Sequence, residues 1–108
     1  MVRTVFLGDP IEEAATKMDY IQVTLADKIP EQAREYVSAR IGELDRYAPA
    51  PVDFAWIGLT TTTDVILAHA RLDLKWDEVQ AYAEAGTVTE VIDLLHERVR
   101  RQLLTMHN

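Results

Sequence analysis

Three consecutive segments of this chain alternate apolar and polar residues, and they stand between two segments whose apolar residues recur every three or four positions. A period of two belongs to a strand with one buried face, and a period near 3.6 to a helix with one buried stripe. The alternating runs are VDFAWIGLT, with Ala55, Ile57 and Leu59 inward, VILAHARLDLK, with Ala68, Ala70, Leu72 and Leu74 inward, and EVQAYAEA, with Val79, Ala81, Ala83 and Ala85 inward. The run TTTTD and the pair Trp76-Asp77 connect them as turns, and Gly86 ends the third.

A further alternating run, DYIQVTL, comes earlier, with Ile21, Val23 and Leu25 inward. Pro30 suits a first helical turn, where its missing N–H is not needed. Ala33, Val37, Ile41 and Leu44 then form an apolar stripe that runs to Tyr47, before Pro49 and Pro51 stop it. At the far end Thr87 or Thr89 caps a last helix, and Thr87 with Glu90 makes a capping-box pattern. Its apolar face is Val88, Val91, Ile92, Leu95 and Val99.

The expected order is therefore β-α-β-β-β-α. It implies an α+β domain, an antiparallel-rich sheet with both helices packed on one face so that both stripes are buried at once. With 108 residues, 48% of them hydrophobic and 27% charged, the chain has the length and composition of one small globular domain. Residues 1–18 read as an N-terminal extension, an extra strand or a helical turn, and residues 19–108 as the domain.

Several function classes are disfavoured. There is no cysteine, so neither a disulfide framework nor a zinc-thiolate site is available. No apolar run approaches the ~20 residues of a membrane span, and MVRTVFLGDP is too short in its apolar part for a secretory signal. A cytoplasmic protein with no membrane partner is expected. Catalysis is not expected either: His69 and Asp73 share a strand face without a nucleophile, Asp77-Glu78 sits at a turn, His96 reads as a boundary residue, and no phosphate loop or paired-histidine motif occurs. No cofactor or metal is implied.

The arginines are the remaining candidates. The formal net charge is −7, yet Arg98, Arg100 and Arg101 cluster on the last helix and Arg34, Arg40 and Arg46 are spread along the first. At about 100° per residue they do not form a single blade. The residues alone leave two readings open, a solvated face with i,i+4 partners such as Glu97 and Arg101, and an anion-binding face.

The segments IQVTLADKIPEQAREYVSARIGELDRYAP, PVDFAWIGLT and ARLDLKWDEVQAYAEAGTVTEVIDLLHERVRRQL together resemble the N-terminal domain of ribosome hibernation-promoting factors. These are also called ribosome-associated translation inhibitors and belong to the sigma-54 modulation protein family, and the likeness is to actinobacterial members in particular. It spans roughly residues 19–104. It implies a fold akin to the double-stranded-RNA-binding domain, which meets RNA through shape and phosphates. It further implies a non-catalytic partner of the small ribosomal subunit and its ribosomal RNA, docked near the decoding centre, where it blocks messenger and transfer RNA access under stress. The implied RNA contacts are Arg34, Arg40, Arg46, Arg98, Arg100 and Arg101.

The chain departs from the family pattern at the outward strand positions Trp56, Gly58 and Gln80, often basic in members, and at Trp76-Asp77, where an Asn-Gly-type turn is usual. It also stops before the C-terminal domain of long members, and so reads as a short member or an isolated N-terminal domain. Trp56 either packs under the extension or joins Tyr20 and Tyr82 in an exposed patch suited to a protein partner or a homodimer through the sheet face. A diverged interaction module without ribosome binding is the alternative function.

Overall fold

The computed structural model describes residues 20–106. Its elements are β1 (Ile21–Leu25), α1 (Ala33–Gly42) continued by a 3₁₀ segment (Glu43–Tyr47), β2 (Val52–Thr61), β3 (Ile66–Leu74), β4 (Asp77–Ala85) and α2 (Val88–Thr105). This is the β-α-β-β-β-α order expected from the periods. The expected extension at residues 1–18 lies outside the described residues.

The strands form one sheet in the order β1-β2-β3-β4. β1 runs parallel to β2, as a strand joined to its neighbour through a helix can, and the other two pairs are antiparallel hairpins. Two residues, Lys75 and Trp76, separate β3 from β4, and the Lys75 ammonium lies 4.7 Å from the centre of the Trp76 ring.

Both helices cover one face. Val37, Ile41 and Leu44 from the first helical segment meet Ile57, Leu72 and Val79 from the sheet and Ile92, Leu95, Val99 and Leu103 from α2 in one core. The sheet floor beneath is paved with small residues, since Ala70 pairs with Ala81 and Ala68 with Ala83. Short side chains there leave room for the branched residues of α2 to reach the sheet.

The helix ends add detail to the expectation. α1 starts at Ala33, and Pro30 sits in the turn before it, accepting the Ala33 N–H at 3.0 Å. Ile29, in that turn, is buried with the core. Past Gly42 the helix tightens to 3₁₀, which keeps Leu44 on the buried side before the prolines end it. For α2 the cap is Thr87, not Thr89: its hydroxyl accepts from the Glu90 N–H at 3.1 Å and donates to the Glu90 carboxylate at 3.2 Å.

Gly58 has a steric cause. A Cβ built there would come within 2.6 Å of Trp56 Cη2, because the indole lies along its own strand over the glycine. From that position the indole N–H donates to Thr24 Oγ1 on β1 at 3.1 Å.

Candidate nucleic-acid interface

The six arginines singled out in the sequence occupy five places. Arg34, in the first turn of α1, engages the Glu31 carboxylate and also donates to the carbonyl of Val23 on β1. Arg40, in the last turn of α1, donates to Glu43 at 2.6 Å and to Asp93 of α2 at 3.3 Å, and the Tyr36 hydroxyl donates to the same Asp93 oxygen at 2.7 Å. Arg100 grips Glu97 with two N–H donors, at 3.0 and 2.8 Å, and lies over the Tyr47 ring at 5.8 Å. Arg46 is exposed on the 3₁₀ segment.

The fifth place is the seam between α2 and β4. Arg98 donates to the carbonyl of Tyr82, and Gln102 to the carbonyl of Gln80 at 2.7 Å. Arg101 meets Glu97 at 3.3 Å, the i,i+4 pair expected from sequence, while its side chain stays 76% exposed. Arg98, Arg101, Gln102, Thr105, Gln80 and Tyr82 line a groove of about 520 Å³ here.

The arrangement sorts the cations by how much charge remains for a partner. Arg34, Arg40 and Arg100 each hold a carboxylate neighbour, and the electrostatics register it. The hydroxyl of Tyr36 and then Arg40 lower the Asp93 pKa, and Arg100 followed by Arg101 lower that of Glu97. A phosphate approaching these arginines has to compete with a carboxylate already in place. Arg46, Arg98 and Arg101 are the more open cations.

His96 was expected to be a boundary residue, between core and surface, and the structure places it further inside. The residue is only 8% exposed, enclosed between α2 and the first helical segment. Its Nε2 makes no hydrogen bond, and the nearest carboxylate oxygen, on Glu43, is 3.6 Å away. Burial, reinforced by Arg40, pushes its pKa below the ordinary imidazole value. The signal was in the sequence: Ile92, four residues earlier, and Val99, three later, lie on the same helical side.

On the opposite face of the sheet, His69 stands between Trp56 and Tyr82. Trp56 meets His69 edge-on with centroids 5.2 Å apart, and His69 stacks on Tyr82 at 4.3 Å with 11° between planes. Tyr20, 67% exposed, stands at the head of β1. Around this row, Arg71 pairs with Asp73 at 3.1 Å and Glu78 at 3.3 Å. Among the described residues no group of three or more metal-ligating side chains forms, and no helix is long and apolar enough to cross a membrane.

No family model and no curated protein matches the chain. Solved structures do. A ribosomal subunit interface protein from Coxiella burnetii superposes with a TM-score of 0.70 at 22% identity, over 82% of this chain and 97% of that one. The Protein Y N-terminal domain of Thermus thermophilus gives 0.68 at 20% identity over the same shares. The chain has their fold. At such identities the likeness establishes the β-α-β-β-β-α architecture, and leaves the identity of individual contact residues to the chemistry of this chain.

Proposed function

We propose that the chain is a ribosome hibernation-promoting factor of the sigma-54 modulation family, of actinobacterial type, acting in the cytoplasm. In this reading it binds the small ribosomal subunit near the decoding centre and blocks messenger and transfer RNA, so that ribosomes are inhibited or stored under stress. The mechanism is occlusion, without chemistry, cofactor or membrane. The observation that carries the reading is the shared fold with a protein described as a ribosomal subunit interface protein, over nearly the whole of that chain. The resemblance read from the residues of the two helices points the same way.

The RNA contacts in this proposal are Arg46, Arg98 and Arg101, the open cations, with Arg34, Arg40 and Arg100 as weaker contributors held by carboxylates. An acidic whole does not oppose binding through one complementary face. Co-sedimentation with purified small ribosomal subunits across a salt series tests the proposal. Binding that weakens steeply with salt, and is lost when Arg98, Arg100 and Arg101 are all replaced by alanine, is the expected result. No binding at low salt overturns it.

The second reading is a protein-interaction or homodimerisation module without ribosome binding. The Trp56, His69 and Tyr82 row on the sheet face opposite the helices favours it, and a concentration-dependent dimer in sedimentation equilibrium, abolished by Trp56→Ser, is its signature.

A further inference from the structure

We propose that the groove between α2 and β4 is a site for one unpaired nucleotide of an RNA strand, its phosphate held by Arg98 and Arg101 and its base stacked on Tyr82. The groove, about 520 Å³, is within the range of roughly 300–1,000 Å³ typical of small-ligand sites. On a chain of net charge −7, its lining holds two guanidinium groups and no carboxylate among the described residues. That local reversal of sign is what an anion requires.

The cations are available. Arg98 spends one donor on the Tyr82 carbonyl, which fixes the guanidinium at the β4 edge and leaves its other N–H groups free to turn to a phosphate. Arg101 makes a single 3.3 Å contact with Glu97, whose oxygens are already engaged by the shorter bonds from Arg100.

The stacking surface is available too. Tyr82 is 62% exposed, and His69 braces one face of its ring at 4.3 Å. His69 is itself held by the Gln80 amide at 3.0 Å, so the tyrosine is positioned before any base arrives. Gln102, anchored through its Nε2 on the Gln80 carbonyl, keeps its amide oxygen as an acceptor for an exocyclic amine.

Two alternatives fit less well. A peptide strand added to β4 would need the carbonyls of Gln80 and Tyr82, and both are occupied by α2 side chains. A duplex keeps its bases stacked on one another and has none to offer Tyr82.

The inference deepens the ribosome-binding proposal, and rests on it for the RNA being ribosomal. The test is therefore made without ribosomes. Fluorescence anisotropy with a labelled single-stranded hexaribonucleotide and the full chain is expected to show binding that Tyr82→Leu weakens at least about fivefold, the lower end of a base–aromatic stack. Tyr82→Phe retains it. Arg101→Ala weakens it and flattens the salt dependence, while Lys75→Ala, a charge-matched change at the β3–β4 turn, leaves it within about twofold of wild type, as a distant charge screened by salt should. The inference is overturned if the hexamer does not bind, if Tyr82→Leu binds as well as wild type, or if a duplex of the same length binds as tightly. Hexamer binding without co-sedimentation overturns the ribosomal reading alone, and co-sedimentation without hexamer binding overturns the groove alone.

Discussion

The guanidinium of Arg98 on α2 caps the carbonyl of Tyr82 on β4, and at the opposite edge of the sheet Arg34 on α1 caps the carbonyl of Val23 on β1. In β1 the groups facing β2 belong to alternate residues: Tyr20 accepts from Ala55 at 2.9 Å and Ala26 donates to Leu59 at 3.0 Å. The carbonyl of Val23 therefore points away from β2, to the edge of the sheet formed by the described residues. Exposed edges invite pairing with other chains, and covering them with side chains from a helix is one remedy. Each edge strand thus has an arginine from the adjacent helix on its main chain.

Replacing Arg98 by alanine removes both a cation and an edge cap. We expect a loss of about 1 kcal/mol in unfolding free energy, the usual worth of one such hydrogen bond, together with increased self-association at high concentration. Urea denaturation and light scattering check the two effects. Arg98→Gln, which restores a donor without charge, should recover more of the stability than of the RNA affinity.

Gly58→Ala places a methyl group against the Trp56 indole, within 2.6 Å of Cη2 before relaxation. Overpacking of this kind costs about 1–3 kcal/mol. The same substitution made together with Trp56→Val should cost less than the two single changes summed, since the clash partner is gone. A double-mutant cycle from chemical denaturation measures the difference, and strict additivity would refute the steric account.

Burial holds the His96 pKa in the folded state below its unfolded value of about 6.5. The unfolded chain therefore takes up the proton first, and stability declines as pH falls from about 7 through 6.5, levelling off below the folded pKa. Glu43 and Asp93, which favour the charged form, oppose this trend, and Arg40 and Arg100 reinforce it. Melting temperatures between pH 7.5 and 5.5 should fall for wild type and much less for His96→Leu, which also removes the unpartnered Nε2. An identical slope in both proteins would exclude His96 as the source.

Glu97 restrains two arginines at once, Arg100 at 2.8 Å and Arg101 at 3.3 Å. Under the proposed function, Glu97→Gln should release both, tightening subunit binding and steepening its salt dependence by about one phosphate contact or more. Arg40→Ala should have a smaller effect than Arg101→Ala, because Glu43 and Asp93 already offset the charge of Arg40. Co-sedimentation at several salt concentrations ranks the three variants.

The sequence by itself determined the elements and their order, because those properties are local. Alternation in VDFAWIGLT and AYAEA, the stripe from Val91 to Val99 and the Thr87–Glu90 cap each depend on residues within a few positions of one another. Amphipathic helices flanking an amphipathic sheet then have one economical way to bury their apolar faces, so the architecture was legible as well.

Which arginines remain open to a partner was decided by the tertiary structure alone. Arg40 is restrained by Asp93, 53 residues away, Arg98 by a carbonyl 16 residues away, and Arg34 by one 11 residues away. Electrostatic and hydrogen-bond partners act within a few ångströms of space, whatever their separation along the chain. The same reason brought His69 between Trp56 and Tyr82, through the β2–β3 and β3–β4 registers, and enclosed His96 beneath the first helical segment.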